Sequence, residues 1–157
     1  MTLAREIKLN KEIDSIRHEG LLNIVRTASL IEKISGTFFG KFHITEAQYN
    51  ILIVLKLEGR ELSQIEIGER LVTSRANITS LIDRLEDKGF VKRKAVEDDR
   101  RIYRIQSTEQ GRRIVDKVEK AYVGKVEEIM SYLNESECKT ISKSLEKLRE
   151  SLKSVHI

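Results

Sequence analysis

The chain has 157 residues, of which 39% are hydrophobic and 34% charged, with no Pro, one Cys (Cys138) and a formal net charge of +4. That length suits one compact domain, or one domain plus an oligomerisation arm, with a sizeable core, and the charge content favours exposed helices over a thick buried sheet. A single thiol excludes an intrachain disulfide and a Cys-based zinc site. No apolar run approaches the roughly 18 residues that span a bilayer, so with no signal-peptide core near Met1 a soluble, cytoplasmic protein is expected.

Apolar residues recur at helical spacing from about Ile7 to Phe42: Ile13, Ile16, Leu21, Val25, Ala28, Ile31, Ile34 and Phe38 step by three, four or five. The spacing predicts one or two helices with an irregularity near Gly20. Four later starts share one chemistry, a Ser, Thr or Asn side chain accepting a backbone N–H while Glu or Gln three residues on reaches back. Thr45 with Gln48 opens a helix to about Leu57, and Ser63 with Glu66 one to about Leu71. Ser107 with Gln110 opens a long helix to about Leu133, and Asn134 with Glu137 the last, to about Val155. A further helix, about Ser74 to Lys88, follows a join near Val72-Thr73 and stops at Gly89, a residue suited to a left-handed cap.

One region breaks the helical pattern. Phe90–Val96 and Arg101–Ile105 flank Glu97-Asp98-Asp99 and read as a β-hairpin. Lacking Asn-Gly or Asp-Gly, its loop is expected to exceed two residues. A short helix, a tight turn, a second helix and a two-stranded ribbon make a winged helix-turn-helix. The fold class expected is therefore mainly α with a small β-hairpin wing.

The net charge is unevenly spread. Residues 88–104 hold Lys88, Lys92, Arg93, Lys94, Arg100, Arg101 and Arg104 against Glu97, Asp98 and Asp99, so the excess of the whole chain sits in this short segment. Such a cluster is either a solvated loop or a footprint for phosphates. The preceding helix supports the second reading. Ile78, Leu81, Ile82 and Leu85 form one apolar stripe, and the start of the opposite face is small or hydrogen-bonding: Ser74, Arg75, Ala76, Asn77, Thr79 and Ser80, with Arg84 further along. Such side chains can enter a major groove and address base edges. Asp83 and Asp87 oppose this unless paired, and Asp83 is expected to bind a neighbouring Arg of the protein. Lys92, Arg93 and Lys94 are read as phosphate contacts.

The run from Ser74 to Arg93 closely resembles the recognition helix and first wing strand of the MarR (multiple antibiotic resistance regulator) family. Asp99-Arg100-Arg101 resembles its wing tip, and Thr108-Glu109-Gln110-Gly111-Arg112 the start of its next helix. The likeness is strong over roughly 45–115 and weaker beyond. It implies a homodimeric transcription regulator, a repressor, reading the halves of a near-palindromic double-stranded DNA operator. Residues 1–42 and 107–157 would then form N- and C-terminal dimerisation helices around a DNA-binding domain at 43–106. Leu9, Ile13, Ile16, Leu133, Ile141, Leu145, Leu148 and Leu152 agree, since a small winged domain leaves little for both ends to cover; the alternative is a helical lid within one chain. By the family's aspartate-x-arginine spacing, Arg101 is the residue inserted into the minor groove, with Asp99 orienting it and Arg100 the alternative.

The resemblance also implies a small aromatic or anionic effector, for which Arg26, His43 and Tyr49 are candidate contacts. His18, His43 and His156 lack partners at metal-ligand spacing, no P-loop, dinucleotide glycine pattern, GxSxG or HExxH occurs, and neither enzyme activity, metal nor cofactor is expected. Cys138 reads as inert packing rather than a redox sensor. Two other function classes compete: a winged-helix protein-interaction module, which would present an apolar recognition face without a basic wing, and a nonspecific RNA- or nucleoid-binding protein.

Overall fold

The computed structural model describes residues 2–71, 78–96 and 99–155, with the side chains of residues 96 and 99–102 outside the description. The readings at Val72-Thr73, Ser74, Arg75, Ala76, Asn77, Glu97-Asp98 and His156 therefore lie outside the described residues. The chain forms two compact units, Met1–Asp116 and Lys117–Ile157. The elements are α1 (Leu3–Glu6), α2 (Ile16–Gly40), α3 (Glu46–Glu58), α4 (Gln64–Arg70), α5 (Ile78–Asp87), the strands β1 (Val91–Val96) and β2 (Asp99–Ser107), α6 (Glu109–Met130) and α7 (Glu135–Leu152).

Three of the four expected capping boxes are present. Thr45 and Gln48 bond each other's backbone N–H at 3.2 and 3.1 Å, and the same reciprocal pattern holds Ser63 to Glu66 and Asn134 to Glu137. The fourth start is one residue later than expected. Ser107 still belongs to β2, and Thr108 Oγ1 accepts from Gly111 N at 3.0 Å. The strand holds Ser107 in its ladder opposite Val91, which leaves Thr108 to cap.

At the N-terminus the helix starts later than the periodic run that opens near Ile7. Leu3 and Ala4 are buried in a short turn, α1, that packs on α2. The long helix begins only at Ile16, where the Ser15 side chain accepts from His18 N at 3.4 Å. It then runs unbroken through Gly20, contrary to the irregularity expected there; a helix tolerates one exposed Gly at roughly 1 kcal/mol. Gly89 ends α5's turn in the left-handed region, φ 69°, as its residue type suggested.

The hairpin ladder is regular from Val91↔Ser107 to Ala95↔Tyr103. Then one step on β1, to Val96, matches four on β2, to Asp99. The named strands thus come within two residues of each other, fewer than expected, and the irregularity lies in this register shift instead. Leu62 adds a single antiparallel bridge to Ile105, with backbone bonds of 3.1 and 2.7 Å. The core of this unit is continuous. Ile51 and Leu52 of α3, Leu62, Ile67 of α4, Ile82 and Leu85 of α5 and Ile105 of β2 are each fully buried.

Candidate nucleic-acid interface

The apolar stripe of α5 faces inward, with Ile82 and Leu85 fully buried and Ile78 and Leu81 half-buried. This turns Thr79, Ser80, Asp83, Arg84 and Asp87 outward, all exposed. At the start of that face, Thr79 Oγ1 donates to Gln64 Oε1 at 3.0 Å, tying the second helix of the motif to the first residue of α4. Sequence reading missed Gln64, because 15 residues separate it from its partner.

Strand alternation sorts the basic run that follows. Successive side chains of β1 point to opposite faces, so Val91 is buried while Lys92 and Lys94 are exposed. Arg93 shares the inward side. Its guanidinium forms ion pairs with Asp83 and Glu86 of α5, and its backbone N–H donates to Glu86 Oε1 at 3.0 Å. The Arg93 side chain is only 21% exposed. Asp83, and then Glu86, hold that guanidinium above its ordinary pKa against the cost of burial. Asp83 thus has the internal Arg partner expected for it. Arg93, one of the three phosphate contacts that the sequence leads one to expect, ties the wing to α5 through these pairs.

Other cations of the basic cluster have internal partners too. Arg104 pairs with Glu66, Lys94 Nζ lies 3.3 Å from Glu61, and Lys88 Nζ donates to the His43 carbonyl at 2.6 Å. Lys94 is 65% exposed, so its pair is weak and leaves it able to meet a phosphate. Of Asp99, Arg100 and Arg101 the structure describes the backbone, within β2. The outward charge therefore narrows to Lys92, Lys94 and Arg84 among the described side chains.

Behind the face lies a charge network. Glu66 accepts from Ser63 N at 2.8 Å and from Arg60 at 3.0 Å, and pairs with Arg104. Glu58 meets Arg70 at 2.9 Å and Arg60 at 3.5 Å. Glu66 is lowered from 4.5 to about 2, first by the Ser63 backbone and hydroxyl and then by Arg60 and Arg104. A carboxyl depressed on folding adds stability that is complete above its unfolded pKa and is lost as pH falls towards the folded one. Melting midpoints should therefore fall between pH 4.5 and about 2, and Glu66→Gln should flatten that limb of the curve. An unchanged acid limb would refute the assignment.

Each of the three effector candidates has its own setting. Arg26 is paired to Glu6 at 2.9 Å. His43 occupies a turn at φ 57°. Tyr49 is 5% exposed, its ring 5.1 Å from that of Phe39. An open cavity of about 620 Å³ is lined by Ala28, Ile31, Glu32, Gly36, Thr45, Glu46 and Ala47, and by none of those three. Among the described residues no group of His, Cys, Asp or Glu could hold a metal ion, and no helix is long and apolar enough to cross a membrane.

Comparison with known proteins agrees with this architecture. Residues 44–103 match the family model described as MarR family. The chain is 33% identical over 125 residues to the HTH-type transcriptional regulator PapX of Escherichia coli, covering 77% of this chain and 76% of PapX. Among solved structures, an organohalide-sensing transcriptional regulator in its 2,4-dichlorophenol-bound form superposes with a TM-score of 0.81 at 18% identity, over 90% of this chain and 86% of that one. A mutant MarR from Escherichia coli complexed with operator DNA gives 0.72 at 21% identity, over 94% and 99%.

Proposed function

Since the chain belongs to the MarR family, a family of DNA-binding transcriptional regulators, we propose that it works as a homodimeric repressor on a near-palindromic operator. The recognition helix, residues 74–88, enters the major groove and the wing, residues 90–105, lies along the neighbouring minor groove. The observation that carries this reading is the exposed face of Thr79, Ser80 and Arg84 on a helix tied through Arg93 to a strand with Lys92 and Lys94 outward. An interaction module would present apolar groups there. In this reading Ser74, Arg75, Ala76, Asn77, Thr79 and Ser80 meet base edges. Lys92, Lys94 and Arg84 meet phosphates, and Arg101, oriented by Asp99, enters the minor groove, with Arg100 beside it.

The dimer is supported by apolar residues that the chain leaves in water. On α2, Ile16 is 79%, Val25 58% and Leu21 55% exposed; in the C-terminal unit, Tyr132 is 98% and Leu152 57% exposed. Patches of this kind mark interfaces.

A fluorescence-anisotropy titration on the operator tests the assignment. Two chains per duplex are expected, with affinity falling steeply as salt rises because phosphate contacts release counterions. Arg101→Ala should lower operator affinity by about tenfold, a loss in the range of one specific contact, with the melting midpoint unchanged. Equal affinity, or affinity indifferent to salt, would refute the reading.

Of the aromatic and anionic effectors the resemblance allows, the 620 Å³ cavity supports an aromatic one. With Glu32 and Glu46 in its wall, an anion is repelled and a neutral or cationic aromatic is favoured. A neutral phenol should raise the melting midpoint where benzoate does not; the reverse order would overturn this choice.

A further inference from the structure

We propose that Gln64, outside the recognition helix, sets which bases Thr79 accepts. The inference rests on the reading of α5 as the groove-facing helix. A threonine hydroxyl carries one hydrogen and two lone pairs. In this structure that hydrogen points to Gln64 Oε1 at 3.0 Å. Thr79 is exposed on the outward face, so what it offers to DNA is a lone pair only. Among the described residues, Gln64 shares a shallow cavity beside α4 with Ile65, Gly68 and Ile78, whose side chains carry no polar group.

A hydroxyl restricted to accepting discriminates between base edges. In the major groove adenine N6 and cytosine N4 donate, whereas guanine O6 and N7 and thymine O4 accept. The base opposite Thr79 is therefore adenine or cytosine, and guanine or thymine there meets lone pair against lone pair. A free hydroxyl would rotate and tolerate all four. Gln64 is thus a positioning residue that gives a direction to an otherwise ambivalent contact.

Selection of bound duplexes from a random pool, run in parallel on the full-length protein and three variants, tests this. The unaltered chain should enrich adenine or cytosine roughly tenfold over guanine or thymine at one position of each half-site, the scale of a single specific contact. Gln64→Ala and Thr79→Val should even out that position and leave the rest of the motif intact. Gln64→Glu should keep the preference, because a carboxylate can only accept, while lowering overall affinity through its charge. A merely structural role for Gln64 would shift every position together. Gln64→Ala with an unaltered profile, or Gln64→Glu with an evened one, would overturn the proposal. If the unaltered chain enriches no duplex, the DNA-binding reading itself fails and takes this one with it.

Discussion

Gly111→Ala should lower the melting midpoint by roughly 10 °C, from an overpacking cost of about 3 kcal/mol spread over a chain of this size. A Cβ at this position would lie 2.1 Å from the Phe90 carbonyl oxygen, 3.0 Å from its carbon and 2.9 Å from Ser107 Oγ. Two of these are backbone atoms and cannot swing aside. Phe90 O also accepts from Thr108 N at 3.0 Å, and Thr108 Oγ1 donates to the Gly89 carbonyl at 2.6 Å. The start of α6 is thus fastened to the junction between α5 and β1, and an added methyl prises it off. Gly124, in the same helix, has nothing within 4 Å of an added Cβ. Gly124→Ala should therefore raise the midpoint slightly by limiting the unfolded chain. Thermal melts followed by circular dichroism compare the two, and equal midpoints would dispose of the steric argument.

Arg93→Ala should weaken operator binding by about thirtyfold, in line with losses seen when one partner of a bonded charge pair is truncated. Two effects act together. The wing loses the Arg93 side-chain ties to α5, and Asp83 and Glu86 are left uncompensated on the side proposed to meet DNA. Neutralising them in the same background, with Asp83→Asn and Glu86→Gln, should recover part of the lost affinity. Arg93→Lys should restore little, since one ammonium cannot span two carboxylates as a guanidinium does. Were Arg93 itself a phosphate contact, removing the carboxylates would recover nothing specific to this background, and the salt slope would drop by about one.

Much of the fold was legible because its signals are local. Thr45 with Gln48, Ser63 with Glu66 and Asn134 with Glu137 sit three residues apart, and cap chemistry needs no knowledge of the rest of the chain. Ser107 misled because the same chemistry was available one residue on, at Thr108, and strand pairing decided between them. Lys92, Arg93 and Lys94 looked equivalent as a run of charge, yet period-two alternation alone would have set Arg93 apart, and the expectation that Asp83 needs an arginine named the other half of that pair. The Leu62 bridge to Ile105 and the Thr79 bond to Gln64 join distant residues without a pattern, so only the folded chain reveals them. Arg26, His43 and Tyr49 stand out in the sequence by residue type alone, and the fold gives them an ion pair, a turn and a place in the core.

The mismatch in strand length beyond Ala95 and Tyr103 separates the tip of the hairpin from its regular base. If the wing lies along DNA as proposed, residues gained or lost past that point would alter how far the finger reaches around the double helix. The five regular pairs behind it, and the coil they anchor, keep their alignment. On that proposal, length at the tip and base choice at the coil are separately adjustable.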